Sequence, residues 1–460
     1  MRRARLLPLA LGLVVAGAAA ALAGPPVPST DATPTAAPAA YTSGSYVTYD
    51  ANARVNGKAQ WHWTSAGGNC CEVYVSTTSS GRLLEYGGTW PYYSDDHGRT
   101  WTRIVPITPL RSGEGAIVAG PHGNAYGIGW DPYSGDHLQS LRYTASSKTW
   151  EVAEAPVHSP VFDREWITYV KGPFKDTTGA TAPFLTLVRG GTGTKALELI
   201  ATDGLSYTTV TDPGQDASSG PEPHFFDIKA VKNADADYWQ PNPGTFTLPM
   251  NAGGVLLFDN GGDSLGAPAA WLNPTSLKWE RVRLAFTPTG TVRQDSRGWL
   301  TMVTRKGNDL SLGLSSDGGR HWKSTDLVLP ESHPVIEGSG DFFDVKVNGA
   351  LGQAVVSTRS DNKQQLGLDV VWRVSIKQPQ PKVLKIYAVG RGDLSTTIGV
   401  LGSLSNRYDF PSVALLPDGR IAVSFDDTTT PLWTSADGLP TTGQLVNPNG
   451  HSPALAILDR

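Results

Sequence analysis

The chain has 460 residues, of which 39% are hydrophobic and only 17% are charged, and its net charge is −4 at pH 7. Glycine (51 residues), proline (34) and tryptophan (14) are abundant, which favours short strands and tight turns over long surface helices. A slightly acidic chain without a basic character argues against nucleic acid as a partner.

The first 23 residues have the three parts of a secretory signal peptide. Arg2, Arg3 and Arg5 form a positive start, residues 6–20 form an apolar stretch, and residues 21–23 supply small residues for cleavage before Gly24. The apolar stretch is short for a membrane span. The sequence therefore predicts a secreted, extracellular protein that does not insert into a membrane.

Residues 24–40 are rich in proline, alanine and threonine and predict an extended linker. Residues 41–460 are then expected to form a single domain. The chain contains two cysteines, Cys70 and Cys71, which are neighbours. Adjacent Cα atoms lie about 3.8 Å apart, below the usual disulfide range, so a vicinal bridge would be strained. Two buried thiols and a vicinal disulfide both remain open.

From residue 41 onward, short apolar or alternating runs recur between clusters of turn-forming residues, and they have the length of strands. These runs are at 72–76, 82–88, 165–170, 184–188, 254–260, 299–303, 353–358 and 420–427. They group into modules in which a tryptophan marks the start of the predicted fourth strand, as at Trp101, Trp150, Trp279 and Trp322.

Modules of roughly 45 to 70 residues have the size of propeller blades. Their first strands open near Glu72, Ala116, Glu165, Asp227, Gln294, Asp344 and Ser412. The sequence predicts an all-β fold, a β-propeller of about seven four-stranded blades, with six as the runner-up. Two openings nearly repeat each other, at 225–229 and 342–346, and a strand at 45–50 is expected to pair with the last blade and close the ring.

Two turn sequences share one pattern. Residues 94–101 read S-D-D-H-G-R-T-W, and residues 315–322 repeat the frame S-x-D-x-G-x-T-W with histidine in place of threonine. Asp96 and Asp317 can accept hydrogen bonds from backbone N–H groups in a tight hairpin, and a glycine two residues later permits a left-handed conformation. This structural role argues against a metal or catalytic cluster at Asp95, Asp96 and His97.

These turns resemble the Asp box of bacterial sialidases and related repeat propellers. The resemblance covers most of residues 70–440. It implies a propeller in which the boxes lie away from the substrate cleft and the site lies over the central axis. The acids that open the first strands are therefore the better candidates for function. The candidate rim comprises Glu72, Asp163, Arg164, Glu165, Asp227, Asp344 and Asp409, with His224, Arg293, Arg407 and Tyr408 nearby.

Converging carboxylates raise one another's pKa, so one can act as a general acid while another stays ionised, as glycoside hydrolysis requires. The resemblance further implies an aspartate acid, a tyrosine nucleophile paired with a glutamate, and arginines that clamp a carboxylate. We assign Asp163, Glu165 and Tyr408 as candidate catalytic residues. The candidate substrate-binding residues are Arg164, Glu72, Asp227, Arg293, Asp344, Arg407 and Asp409. The family's F-R-I-P motif is missing: residues 103–106 read R-I-V-P on a predicted outer strand.

The same acids can instead bind Ca²⁺ at the central mouth or only hold the blades together. Apart from that calcium alternative, we expect no cofactor and no metal site, because the histidines have no ligand spacing. Aromatic residues such as Trp61 and Tyr92 can stack on sugar rings or pack between blades. The sequence thus predicts a secreted, monomeric, sialidase-like protein that acts on or binds glycans. The alternative is a non-catalytic exported scaffold that binds a protein or peptide at the same mouth.

Overall fold

The computed structural model describes residues 27–30, 42–64, 74–86, 91–104, 115–131, 137–158, 166–175, 180–190, 197–210, 224–225, 245–249, 255–259, 269–273, 276–277, 279–287, 289–306, 309–329, 343–362, 365–389, 409–426 and 453–458. The described part of the chain is almost entirely β-strand, with one short 3-10 turn at Pro121–Gly123. It contains no helix that is long and apolar enough to cross a membrane.

In chain order the first strands are β1 (Val27–Thr30), β2 (Thr42–Tyr49), β3 (Val55–Thr64), β4 (Tyr74–Thr77), β5 (Leu83–Tyr86), β6 (Pro91–Ser94), β7 (Thr102–Arg103), β8 (Gly115–Ala119), β9 (Ala125–Asp131), β10 (His137–Thr144), β11 (Thr149–His158), β12 (Trp166–Lys175), β13 (Thr181–Gly190), β14 (Leu197–Ala201), β15 (Thr208–Val210) and β16 (His224–Phe225). They continue with β17 (Thr245–Pro249), β18 (Val255–Asp259), β19 (Ala269–Leu272), β20 (Trp279–Arg283), β21 (Gly290–Gln294), β22 (Leu300–Lys306), β23 (Asp309–Ser315), β24 (Lys323–Leu327), β25 (Phe343–Asn348), β26 (Gln353–Asn362), β27 (Gln365–Ser375), β28 (Lys382–Val389), β29 (Asp409–Leu415), β30 (Ile421–Asp426) and β31 (Pro453–Leu458). Every apolar run selected from the sequence overlaps one of these strands, so those strand predictions are confirmed.

Consecutive strands pair antiparallel in groups of four. Five sheets follow this order. Three have four strands, namely β4–β7, β12–β15 and β21–β24, whereas β8–β11 and β17–β20 have five, because β1 and β16 join their last strands. A nine-stranded sheet contains the groups β25–β28 and β29–β31 with β3, which are joined through β2. All-β architecture built from four-stranded antiparallel sheets is consistent with a β-propeller.

The first strands of these groups lie next to one another in sequence order. Strand β4 contacts β8, β8 contacts β12, β12 contacts β17, and the series continues through β21, β25 and β29. Strand β29 then contacts β4, so the series of contacts returns to its start. This cyclic arrangement brings first strands that are far apart in the sequence to one hub.

The amino-terminal hairpin joins the two ends of this series. Strand β3 pairs antiparallel with β31 and supplies the fourth strand of the last group, while β2 pairs with β3 and with β28. The prediction that the strand at 45–50 pairs with the last group is therefore wrong: this stretch belongs to β2, which pairs with β3 and β28. It lies one strand further out, because the next strand of the hairpin, β3, takes the position beside β31.

Hydrophobic clusters fill the spaces between adjacent sheets. Trp101 is fully buried among residues from β4, β5 and β6 on one side and from β29, β30 and β31 on the other, including Val75, Ala414 and Leu455. Burying an aromatic side chain of this size contributes strongly to stability because the hydrophobic gain scales with apolar area. The tryptophan therefore couples the first four-stranded sheet to the last.

The turn at 94–101 uses its polar groups on its own backbone. Asp96 Oδ1 accepts hydrogen bonds from Thr100 N–H at 2.8 Å and from the Ser94 hydroxyl at 2.9 Å, and Asp96 Oδ2 accepts from the Thr100 hydroxyl at 2.7 Å. Gly98 has a φ of 81° and donates its N–H to Ser94 Oγ at 2.7 Å. These contacts are those expected of a structural turn, and they lower the pKa of Asp96, although burial opposes that shift.

The turn at 315–322 repeats this geometry. Asp317 Oδ1 accepts from His321 N–H at 3.0 Å, and Gly319 N–H donates to Ser315 Oγ at 2.9 Å. The hydrogen bond from the His321 backbone holds the pKa of Asp317 well below its ordinary value. His321 takes over the position of Thr100, with its Nδ1 2.6 Å from Asp317 Oδ2.

One predicted first strand differs in the structure. Its predicted opening, Asp227, lies outside the described residues, and the first strand of this sheet is β17 at Thr245–Pro249. The pair His224–Phe225 instead lies at the outer edge, parallel to β20. The run at 245–249 is favoured as the first strand because only a short connection separates it from its hairpin partner β18. Strand β1 also falls inside the predicted linker, where it pairs with β11.

Candidate functional site at the hub of the first strands

Two of the predicted site side chains are described, Arg293 on β21 and Asp344 on β25. The backbone of Asp409 is described as the first residue of β29, but its side chain is not. The remaining predicted site residues lie outside the described part of the chain: Glu72, Asp163, Arg164, Glu165, Asp227, Arg407 and Tyr408, together with Cys70 and Cys71. Their assigned roles stay predictions.

Arg293 and Asp344 come from neighbouring sheets and meet at the hub. Arg293 Nη2 lies 4.0 Å from Asp344 Oδ1, and Arg293 Nε donates a hydrogen bond to the carbonyl of Val345 at 3.3 Å. A second nitrogen, Nη1, donates to the carbonyl of Val292 at 3.0 Å. The guanidinium therefore spans from its own strand to β25 and makes its contacts largely with backbone.

Asp344 accepts from several donors. Its Oδ1 accepts from Val345 N–H at 2.8 Å, and its Oδ2 accepts from Val413 N–H at 2.9 Å and from the Ser412 hydroxyl at 3.3 Å. Lys346 Nζ lies 3.1 Å from the same Oδ2. One carboxylate thus connects β25 to β29, in addition to its pairing with Arg293 on β21.

The alternation of side chains along β25 explains this arrangement. Phe343, Val345 and Val347 belong to the hydrophobic cluster shared with β22 and β23, so the intervening Asp344 and Lys346 point to the opposite side. That side faces β29, which contacts β25 directly. The polar cluster therefore follows from strand periodicity and from the packing of neighbouring sheets.

The cluster is buried and carries more positive than negative charge. Arg293 is 3% exposed, Asp344 is 1% exposed and Lys346 is 5% exposed. Burial lowers the pKa of Lys346 to about 8; Arg293 acts in the same direction and Asp344 opposes it. Burial also lowers the pKa of Arg293 to about 10, again opposed by Asp344. Loss of the carboxylate would leave two buried cations.

Ser412 extends the cluster to the point where the series of first strands closes. Its Oγ accepts from Val75 N–H on β4 at 3.5 Å. A continuous set of polar contacts therefore runs from β21 through β25 and β29 to β4. This arrangement can hold four first strands in register, and it occupies Arg293 and Asp344 with partners from the protein itself.

Lys346 and Ser412 were not assigned to the site from the sequence. The signal for Lys346 was present, because it lies two residues after Asp344 in a strand and so shares its face. Ser412 was recognised as a strand opening, but a serine carries no charge that would mark it as a partner for a carboxylate.

The structure bears on two alternatives from the sequence, metal binding and aromatic stacking. Within the described ranges, no group of three or more His, Cys, Asp or Glu side chains is placed to hold a metal ion. Trp61 and Tyr92 are buried in hydrophobic clusters, so for these two the packing alternative is confirmed.

No protein-family model and no curated protein matches this chain. Among solved structures, NanB sialidase from Streptococcus pneumoniae is similar at a TM-score of 0.33 and 13% identity, over 86% of this chain and 69% of that one. An intramolecular trans-sialidase from Ruminococcus gnavus is similar at 0.34 and 12%, over 84% and 94%. A putative 6-phosphogluconolactonase from Bacteroides uniformis is similar at 0.40 and 12%, over 79% and 94%. Likenesses at this level add nothing to the argument about function.

Proposed function

We propose that this protein is an exported, sialidase-like Asp-box β-propeller with seven blades that binds a glycan at the mouth of its central axis and hydrolyses it. The observation that carries the proposal is the cyclic series of contacts from β4 through β29 and back to β4. In such a ring, the openings of all first strands face one axis, so acids that are far apart in the sequence can act on one ligand.

The two hydrogen-bonded turns support the Asp-box part of the proposal. In both turns an aspartate accepts hydrogen bonds from a serine hydroxyl and from a backbone N–H. A glycine in the left-handed conformation follows the aspartate, and each turn ends at a tryptophan that precedes the last strand of its sheet. Because the carboxylates of Asp96 and Asp317 are hydrogen-bonded within the turns, we assign the catalytic role to other carboxylates, those at the openings of the first strands.

In this proposal Asp163 is the general acid, and Tyr408 is the nucleophile that Glu165 assists. Arg164 and Arg407 bind the substrate's negative group, because a guanidinium can grip a carboxylate through two hydrogen bonds. Glu72, Asp227 and Asp409 complete the polar wall of the mouth. Arg293 and Asp344 position this wall by tying β21, β25 and β29 together.

A panel of fluorogenic exo-glycosides, with and without acidic sugars, tests the proposal. The variants Asp163→Asn and Glu165→Gln are expected to lower kcat/KM by about 100-fold or more, the usual scale for loss of a general acid or base. Asp309→Asn, an exposed acid on β23, is the matched control and should leave the rate unchanged. Turnover that is unaffected by both site variants would remove the proposed catalytic pair.

The second candidate is a non-catalytic scaffold that binds a protein or peptide at the same mouth. It is favoured by the burial of Arg293 and Asp344, whose side chains form hydrogen bonds with the backbone of the first strands β25 and β29. Glycan arrays and pull-downs separate the two candidates. Glycan binding without turnover of any glycoside would support a binding role, and capture of a protein that depends on Arg407 and Asp409 would support the scaffold.

Export and calcium belong to the proposal as well. Amino-terminal sequencing of protein from the culture medium should find a chain that starts at Gly24, after loss of the predicted leader. A cytoplasmic protein with an intact leader would contradict export. Calorimetric titration with Ca²⁺ tests the alternative use of the rim acids, which predicts binding that Asp163→Asn weakens.

A further inference from the structure

Three outer strands, β24, β28 and β3, lie near one another, with β2 between the last two. Strand β28 pairs with β2, and β2 pairs with β3. On the other side, Gln380 Nε2 beside β28 donates to the carbonyl of Ser324 on β24 at 2.9 Å, and Trp372 Nε1 donates to the carbonyl of Val328 at 3.0 Å. The exposed residues of these three strands therefore lie on neighbouring parts of the surface.

The large hydrophobic side chains that are exposed among the described residues all lie on this surface. Val55 at the start of β3 is 71% exposed, Leu384 on β28 is 43% exposed, and Val328 just after β24 is 42% exposed. Val55 and Ile386 are both paired with Tyr49, so Val55 lies two strands away from the stretch of β28 that contains Leu384. The three aliphatic side chains are thus distributed over this group of strands.

Seven exposed cations lie on the same strands and on the turns next to them. They are Arg54, Lys58, Arg320, Lys323, Lys377, Lys382 and Lys385. The acids described on the same elements are fewer: Asp326 is exposed, and Asp50 and Asp317 are half-buried. We call these exposed cations and aliphatic residues the basic outer edge. Its positive excess contrasts with the net charge of −4 of the whole chain.

We propose that the basic outer edge binds the surface of an anionic phospholipid bilayer. Lysine and arginine side chains are attracted to lipid phosphates, and exposed aliphatic tips gain further by entering the boundary between headgroups and acyl chains. A purely polyanionic ligand would use the cations but leave the aliphatic side chains in water. This adhesion is peripheral, it is independent of the proposed glycan function, and it uses a surface remote from the hub.

The aromatic side chains argue against a sugar polymer as the occupant. On the described parts of these elements, Tyr49, Trp372 and Tyr387 are buried and Trp322 is half-buried. Sugar-binding surfaces commonly offer exposed aromatic rings for stacking, whereas the basic outer edge offers aliphatic tips among cations. The combination of side chains therefore fits a lipid headgroup surface better than a glycan.

Vesicle flotation with the full chain tests the proposal. The protein should float with vesicles that contain phosphatidylglycerol and not with vesicles of pure phosphatidylcholine, and binding should fall as salt rises, because the Debye length shortens. Each cation near an anionic membrane contributes about a fivefold factor in affinity, so Lys382→Glu/Lys385→Glu should weaken binding by at least about 20-fold. Leu384→Ser should weaken binding severalfold and leave its salt dependence unchanged.

The matched control is Lys148→Glu/Lys171→Glu, which makes the same charge change at exposed lysines on β12 and in the β10–β11 turn. It should bind vesicles like the wild type, and all variants should keep the wild-type melting temperature because the substituted side chains are exposed. Equal loss in the control would reduce the effect to net charge and overturn the assignment. Absence of binding to phosphatidylglycerol vesicles would also overturn it. The assignment would likewise be overturned if the protein bound a soluble acidic polysaccharide through Lys382 and Lys385 but did not bind vesicles.

Discussion

Replacement of Asp344 by asparagine is the perturbation that most sharply tests how the hub is held together. The side chain keeps its shape but loses its charge, while Arg293 and Lys346 remain buried beside it at 3% and 5% exposure. An amide can still accept a hydrogen bond, yet its NH2 group would face a donor, the N–H of Val345 or of Val413. Breaking a buried ion pair by removing one partner costs about 3–5 kcal/mol, and we expect a loss of unfolding free energy in that range.

Urea unfolding followed by tryptophan fluorescence measures this loss. Asp309→Asn, which removes an exposed acid from β23, is the control and should change the midpoint very little. Adding Lys346→Met to Asp344→Asn should recover part of the stability, because one of the two uncompensated cations is then gone. If Asp344→Asn unfolds at the wild-type midpoint, the buried carboxylate is not what neutralises these cations and the reasoning about the hub fails.

The remaining predictions concern the same hub, one turn and one strand pair. Burial lowers the pKa of Lys346 from 10.5 to about 8, so the unfolded chain binds more protons than the folded chain between these pH values. The free energy of unfolding should therefore rise by up to about 3 kcal/mol as the pH increases through this window. The variant Lys346→Met should abolish this rise. Asp96→Ala should cost about 1–2 kcal/mol through lost turn hydrogen bonds. Asp95→Ala removes an ion pair between an exposed carboxylate and Arg82 and should cost at most about 1 kcal/mol, because Arg82 keeps its contacts with the rings of Tyr93 and Tyr143. Equal losses in urea midpoints would contradict the assigned role of the turn. Gly290→Ala should destabilise by about 1–3 kcal/mol, because a Cβ there would collide with the carbonyl oxygen of Val303; an unchanged melting curve would show that the two strands can separate without cost.

Local patterns predicted the strands and turns because both depend on neighbouring residues. Alternating or apolar runs marked strands such as β5 and β30, and the spacing of serine, aspartate and glycine marked the turns at 94–101 and 315–322. The position of the ring-closing strand depends on a long-range choice between two adjacent strands of one hairpin. Sequence periodicity alone does not decide which of β2 and β3 lies beside β31.

The candidate site was predictable as a set of strand openings but not as a network. The sequence predicted that Arg293 and Asp344 lie at the openings of first strands, and in the structure the two side chains lie next to each other. It did not predict that Asp344 would be buried, because burial depends on how closely β25 and β29 approach. Lys346 and Ser412 joined the cluster for the same reason, since their contacts cross between groups that lie far apart in the sequence.

An engineered disulfide across the closing strands tests the ring most directly. His62 on β3 and Ile457 on β31 are paired residues of an antiparallel ladder, where Cα atoms lie about 4.5–5.5 Å apart, within reach of a disulfide. In a chain with Cys70 and Cys71 replaced by serine, His62→Cys/Ile457→Cys should oxidise readily and raise the unfolding midpoint, whereas a mismatched pair, His62→Cys/Ala414→Cys, should not. Failure of the matched pair to form a cross-link in folded protein would contradict the closed series of strands on which the shared central site depends.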